Sequence, residues 1–119
     1  MNKLKILLPS IAVIGICLFY YFSVISKSTQ EFKIVLGSDG FKPESLTINK
    51  GDMVVFTTIA DKPFWPASDL HPSHTIYPEF DPKKPIEASG SWSFRFDKKG
   101  NWKFHDHLFP LYRGIIIVK

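Results

Sequence analysis

From residue 32 onward, apolar side chains recur at every second position in short segments, and no segment has the 3.6-residue period of an amphipathic helix. Successive side chains of a strand point to opposite faces, so this alternation is typical of strands with one buried face. A further segment is rich in β-branched residues and fits a central strand, and the last is continuously apolar. The predicted strands are Phe32–Leu36, Leu46–Asn49, Met53–Ile59, Trp92–Phe96, Trp102–Phe104 and Ile115–Val118.

Glycine, asparagine and aspartate separate these strands, at Gly37–Gly40, Asn49–Asp52 and Asp97–Asn101. These residue types favour turns because they tolerate left-handed backbone conformations or bond to their own backbone. Several short strands with a turn every 8–12 residues or so predict an all-β sandwich or barrel.

One long segment, Asp61–Gly90, interrupts the pattern and contains six of the nine prolines of the chain. Proline donates no ladder hydrogen bond, so few residues of this segment can join a sheet. Its aromatic side chains, among them Phe64, Trp65 and Phe80, would be left in water if the segment were disordered. We therefore predict an ordered, functional loop with one short strand at Thr75–Tyr77.

The N-terminus carries a second, different signal. Ile6–Ile25 contains no charged side chain, and twenty helical residues cover about 30 Å, the thickness of a bilayer's hydrocarbon core. Lys3 and Lys5 precede this run and favour a cytoplasmic N-terminus. The sequence therefore predicts a single-pass transmembrane anchor in residues 1–27, with the domain of residues 28–119 at the cell membrane on its extracytoplasmic side.

A cleaved signal peptide is the alternative, with a small-residue cleavage site at Val24–Ser26. The apolar run is long for a signal peptide, and both alternatives place the domain outside the cytoplasm. Cys17, the only cysteine, follows Ile16, whereas a lipid-attachment site needs a small residue there. The domain itself has no cysteine and can form no disulfide.

The formal net charge of +4 does not indicate a nucleic-acid-binding protein. Two of the lysines belong to the predicted anchor, and the others are scattered among acidic residues. A phosphate backbone requires a basic stripe on one face, which this pattern lacks.

All four histidines fall in two pairs, His71 with His74 in the long loop and His105 with His107 around Asp106. Residues two apart in a strand project from the same face, and imidazole is a good ligand for zinc, copper, iron and nickel. The pairs predict a metal site, with purely structural histidines as the alternative. Asp106 is either a fifth ligand or a hydrogen-bond acceptor that orients the loop or a ligating histidine.

Two segments resemble the cupredoxins, the copper proteins that include plastocyanin and amicyanin. Phe41–Val54 is similar to their first strands around a Gly-Asp turn, and Gly100–Val118 is similar to their closing hairpin. In that hairpin, Trp102 and Phe104 match an aromatic pair and Gly114 matches a glycine before the last strand. The resemblance implies a cupredoxin-like Greek-key β-sandwich, copper as the cofactor, and electron transfer.

The resemblance also shows which copper ligands are missing. Asp106, Phe109 and Tyr112 stand where the family has cysteine, histidine and methionine, and only His74 is similar to a ligand, the upstream histidine. A blue copper centre requires the cysteine thiolate. The sequence therefore excludes a blue copper centre.

The histidine pairs are also similar to the His-Pro-x-His and His-x-His segments of multicopper oxidases. The leading hypothesis is a membrane-anchored, extracytoplasmic protein that binds copper(II), or zinc, for metal handling or electron transfer with a redox or metal-delivery partner. A metal-free interaction domain is the alternative, and an oligomeric oxidase a third possibility. Ser73 beside His74 lacks a third partner, so the sequence contains no catalytic arrangement of its own.

The sequence leaves the position of the site open. If Phe104 and Asp106 face the core, His105 and His107 face away from it, towards the outer surface. If the strand ends at His105 instead, His107 is free to turn towards the His71–His74 loop.

Overall fold

The structure, a computed structural model, describes residues 11–25 and 28–119. In this part of the chain, one helix precedes eight strands. The elements are α1 (Ile11–Ile25), β1 (Glu31–Gly37), β2 (Gly40–Lys42), β3 (Ser45–Ile48), β4 (Met53–Thr58), β5 (Pro66–Ser68), β6 (Ser91–Arg95), β7 (Gly100–Asp106) and β8 (Phe109–Val118).

The strands form two four-stranded sheets, in the orders β2-β1-β4-β6 and β3-β8-β7-β5. The pairs β1–β4 and β3–β8 are parallel, and the remaining neighbours are antiparallel. The prediction of an all-β sandwich is confirmed, and β4 is the internal strand that its β-branched residues indicated.

The core between the sheets is largely aromatic, and the long loop contributes to it. Phe80, from this loop, is fully buried, and its ring centroid lies 5.6 Å from that of Phe56 and 5.0 Å from that of Phe96. Phe64 and Tyr77 of the same loop are buried as well. The prediction of an ordered loop is confirmed, because its rings complete the hydrophobic core.

The strand predicted at Thr75–Tyr77 is wrong, and the loop forms β5 at Pro66–Ser68 instead. The N–H of Tyr77 donates to the side-chain oxygen of Ser68 and not to a backbone carbonyl of a sheet, and Ile76 is half exposed. β5 lies at the edge of its sheet and begins with a proline, a position where a missing N–H is tolerated.

Strands β7 and β8 form a hairpin that is longer than the apolar run Ile115–Val118 indicated, with a two-residue turn at His107–Leu108. Gly114 lies opposite Phe104 in this hairpin. A Cβ atom at Gly114 would lie 2.5 Å from Cζ of Phe104 and 2.9 Å from the carbonyl oxygen of Glu44. Glycine is therefore required here so that the Phe104 ring can pack across the neighbouring backbone.

The structure does not support the predicted transmembrane helix of Ile6–Ile25. The helix α1 has 15 residues, and no helix in the described part of the chain is long and apolar enough to cross a bilayer. Residues 1–10 of the predicted anchor, which include Lys3 and Lys5, lie outside the described residues, as do Ser26 of the alternative cleavage site and Lys27.

The strand directions define two opposite ends of the sandwich. At one end, which we call the N-terminal end, the N–H of Gln30, just before β1, donates to Asp52, and β7 begins. At the other end, the histidine end, β7 finishes at Asp106 opposite Phe109 of β8. The β strands therefore separate the start of the sandwich from the segments that carry the histidines.

Candidate metal centre

All four histidines of the chain meet at the histidine end. The structure brings one ring nitrogen of each of His71, His74, His105 and His107 within 4.8 Å of the others. The loop after β5 supplies the first pair, and β7 with its turn supplies the second. Segments more than thirty residues apart in the sequence therefore form one cluster.

The pairing of β5 with β7 explains this convergence. Ala67 lies opposite His105, so the chain leaves β5 beside that residue, and the N–H of Asp69 donates to the carbonyl of Lys103. The N–H of His107 donates to the carbonyl of Trp65. These backbone hydrogen bonds place the loop against the end of β7.

The arrangement answers the question that the sequence left open. Phe104 packs in the core, so His105, the next residue of β7, faces the outer side of the sheet. Because the loop covers this side, His105 is 0% exposed although it faces away from the core. A register shift between His105 and Asp106 ends the regular pairing, and His107 lies in the turn that follows.

The histidines lie in two close pairs across the cluster. Nδ1 of His71 is 3.2 Å from Nε2 of His105, and Nε2 of His74 is 2.9 Å from Nδ1 of His107. The ring centroids of His71 and His107 are 4.8 Å apart, and those of His74 and His105 are 5.2 Å apart. The four nitrogens therefore face a common centre.

A carboxylate holds each of the two buried rings from behind. Nδ1 of His74 is 2.7 Å from Oδ2 of Asp81, and Nδ1 of His105 is 2.8 Å from Oδ1 of Asp69. A carboxylate accepts only, so each Nδ1 is the donor and each Nε2 is free to accept or to bind a metal. In the neutral cluster, Nδ1 of His71 and of His107 must then donate to those Nε2 atoms.

The two carboxylates are held in turn by other groups. Oδ1 of Asp81 accepts the indole N–H of Trp65 and the backbone N–H of Lys83. Burial raises the pKa of Asp81, but hydrogen bonds from His74, Lys83 and Trp65 outweigh it and lower the pKa to about 2. On the other side, Arg113 donates to Oδ2 of Asp69.

Burial favours the neutral form of two of the four rings, those of His105 and His107. Burial lowers the pKa of His105, although Asp69 acts in the opposite direction. Burial also lowers the pKa of His107, with the neighbouring His74 and His71 adding to the effect. A neutral imidazole is the form that binds metals, so these two rings are ready to act as ligands near neutral pH.

Asp106 does not belong to the histidine cluster. Its Oδ1 accepts the N–H groups of Trp65 and Leu108, and the side chain is buried. These contacts correspond to the structural alternative for this residue, the acceptor of loop amides. Through them Asp106 fixes both segments that carry the histidines.

No sequence pattern indicated three residues that shape the cluster: Asp69, Asp81 and Trp65. The two aspartates lie in a loop of irregular structure, where no periodicity predicts which way a side chain points. Trp65 was expected in the core, yet its ring lies against that of His107, with centroids 4.4 Å apart. Only the proximity of Asp69 to His71 in the sequence could have suggested a supporting role.

The donor set fits one metal ion. Two nitrogens bound tetrahedrally at about 2.0–2.1 Å from an ion lie roughly 3.4 Å apart, which falls between the 2.9 and 3.2 Å of the two close pairs and the 4.8 Å within which all four nitrogens lie. The residues do not fit a blue copper centre, because Asp106, Phe109 and Tyr112 replace its ligands. An all-imidazole site is therefore the arrangement to which this chain is suited.

Comparison with known proteins identifies the fold. A purple cupredoxin from Nitrosopumilus maritimus is 19% identical over 73% of this chain and 98% of its own, with a TM-score of 0.64. A mutant plastocyanin of a fern is 21% identical over 73% and 99%, with a TM-score of 0.60. A mutant amicyanin in its Cu(I) form is 16% identical over 79% and 87%, with a TM-score of 0.65.

No protein-family model matches the chain, and no curated protein sequence is significantly similar to it. The structural neighbours show that the chain has a cupredoxin fold, as the resemblance of its two segments predicted.

Proposed function

We propose that this protein binds one copper ion through His71, His74, His105 and His107 and serves in copper handling outside the cytoplasm. One observation carries the proposal: four imidazole nitrogens from two distant segments converge within 4.8 Å. Surface histidines without a shared ligand would not converge in this way. Protonated rings repel one another, and contacts between neutral rings add little to the stability of the fold.

The supporting carboxylates add to this proposal. Histidines that ligate metals usually donate their second ring N–H to a carboxylate or a carbonyl, which fixes the ring and makes it a stronger ligand. His74 with Asp81 and His105 with Asp69 have this arrangement. It is present for both buried rings of the cluster.

Copper is favoured over zinc for two reasons. Copper(II) has the highest affinity of the divalent first-row ions for nitrogen ligands, and the fold is that of copper proteins such as the Cu(I) amicyanin among the structural neighbours. With no sulfur ligand, the site is suited to copper(II). The metal would supply a Lewis-acidic, one-electron redox centre.

The location outside the cytoplasm rests on the uncharged run Ile6–Ile25 with Lys3 and Lys5 before it. We propose that this segment holds the domain at the cell membrane. Because the chain joins the sandwich at the N-terminal end, the histidine end would face away from the membrane, accessible to a protein partner.

Spectroscopy of the full-length protein in detergent tests the proposed centre. Loaded with copper(II), it should be nearly colourless and give an electron paramagnetic resonance (EPR) spectrum with a large parallel hyperfine splitting and coupling to nitrogen nuclei. The metal-free protein and copper(II) in buffer without protein are the two controls. An intense visible band like that of plastocyanin would mean that the ligand set is wrong.

A metal-free interaction domain is the second candidate, and a specific observation favours it. In the part of the chain that the structure describes, every buried side-chain nitrogen and oxygen has a hydrogen-bond partner without a metal. If the full-length protein binds neither copper(II) nor zinc when titrated with each ion, the histidine network is structural and the metal-free interaction domain is the better explanation.

A further inference from the structure

The four histidines are held to very different degrees. His105 is 0% and His74 is 4% exposed, and each has a carboxylate behind its ring. His107 is half-buried, with its backbone N–H bonded to Trp65 and its ring against the indole. These three rings are fixed by contacts outside the cluster.

His71 is different. Its side chain is exposed, and within the described residues the only polar partner of its ring is His105, itself a member of the cluster. No carboxylate or carbonyl in the described part of the chain holds its second nitrogen. The residues that follow it, Pro72 and Ser73, are exposed too. Rotation of the His71 side chain into solvent therefore breaks one hydrogen bond and leaves the other three rings in place.

We propose that the site has three fixed ligands and one exchangeable ligand, and that the position of His71 is open to a nitrogen ligand from outside the chain, such as a histidine of a partner protein. This inference rests on the proposed function and specifies how the site would transfer its metal to a partner protein. His74, His105 and His107 would hold the ion while the His71 side chain turned into solvent and the external imidazole took its position.

The exchange is balanced and needs no co-reactant. The bond from Nδ1 of His71 to the metal would break as the bond from the incoming neutral imidazole formed, so the number of ligands and the total charge would be unchanged. The released His71 ring would keep its Nε2 proton and so be neutral without any proton transfer. Electron transfer alone would not require such a position, because it proceeds with all ligands retained.

Chemical rescue with free imidazole tests this inference in the full-length protein. His71→Ala should lower the affinity for copper(II) about tenfold, the smallest loss among the four single alanine variants. Millimolar imidazole should restore affinity and return the EPR nitrogen coupling from three nitrogens to four. Ser73→Ala, an exposed neighbour in the same loop, is the matched control and should behave as the wild type.

His74→Ala and His105→Ala should lose at least ten times more affinity than His71→Ala, and imidazole should not rescue them, because no solvent path leads to their buried positions. Equal losses in all four variants, or a His71→Ala protein that imidazole fails to restore, would overturn the exchangeable position alone. A wild-type protein that takes up no copper would instead overturn the proposed function. Because His71 is exposed, its variant should fold even if those at the buried positions do not.

Discussion

At the scale of single residues, the position of each proton in the cluster follows from two carboxylates. Asp69 and Asp81 accept from Nδ1 of His105 and His74, so both buried rings present Nε2 to the centre. The other two rings, His71 and His107, present Nδ1. Two rings therefore present Nε2 and two present Nδ1, and the hydrogen bonds to the carboxylates determine which nitrogen each buried ring presents.

The metal-free protein should lose stability as the pH falls from 7.5 to 5.5. The pKa values of His105 and His107 are lowered in the folded state, so the unfolded chain, with histidine pKa values of about 6.5, binds more protons in this window. The free energy of unfolding then decreases by up to about 1.4 kcal/mol per pH unit for each extra proton bound. Denaturant unfolding at several pH values measures this slope.

His107→Gln removes one of the two histidines whose pKa is lowered in the folded state and should give a shallower slope than the wild type. A stability that is constant or rises on acidification would show that the cluster accepts protons as readily as the unfolded chain, contrary to the burial of these rings.

Residue by residue, the sequence indicated the four histidines but not what holds them. Their spacing is a local signal, since His-x-His and His-Pro-x-His can each converge on one ion. The supporting side chains Asp69, Asp81 and Trp65 come from positions where the backbone is irregular. Their directions depend on the packing of the whole loop, which no local pattern describes.

At the scale of elements, the regular strands were predictable because each has one face in the core and one towards solvent. β1, β4, β6 and β7 appear where period-two alternation or β-branched residues placed them, within one or two residues in most cases. The long loop was not predictable in detail. Its side chains contribute to the core from irregular backbone, so burial there has no period, and the predicted strand at Thr75–Tyr77 was an error of this kind.

The β7–β8 hairpin is the element on which the site depends most. It carries His105 and His107, pairs with β5 so that the histidine loop starts beside it, and places Asp106 between the two segments. The resemblance to the cupredoxin closing hairpin located this element correctly. It could not locate the metal ligands of the hairpin, because Asp106, Phe109 and Tyr112 occupy the family's three ligand positions there.

At the scale of the whole molecule, the chain enters β1 at the N-terminal end of the sandwich, and the four histidines lie at the opposite end. The exposed large apolar side chains of residues 28–119 lie mostly in or next to the segments that carry the histidines. These side chains are Ile59, Leu70, Ile76, Leu108, Phe109 and Leu111. With the proposed anchor at the N-terminal end, we propose that the exposed apolar side chains at the histidine end contact a partner away from the membrane.

The proposed anchor has a direct test in cell fractions. If residues 1–27 hold the protein in the membrane, the full-length chain should remain in the membrane pellet after washing with alkaline carbonate. Protease added to spheroplasts should degrade the domain of residues 28–119. A mature soluble protein beginning near Lys27 would show that the segment is a cleaved signal peptide instead.

The proposed centre requires that the two distant histidine pairs share one ion. A double-mutant cycle of copper(II) affinity measures this most directly. The matched set consists of the wild type, His74→Ala, His105→Ala and the double variant, each titrated as full-length protein by calorimetry. We expect one ion per chain in the wild type and a loss of about 100-fold or more in each single variant, since removal of even a supporting partner of a ligand costs 10–100-fold. The double variant should lose little more than the worse single variant, because a site already broken cannot be broken again. Losses that add in the double variant, with two weak sites in the wild type, would contradict the shared centre.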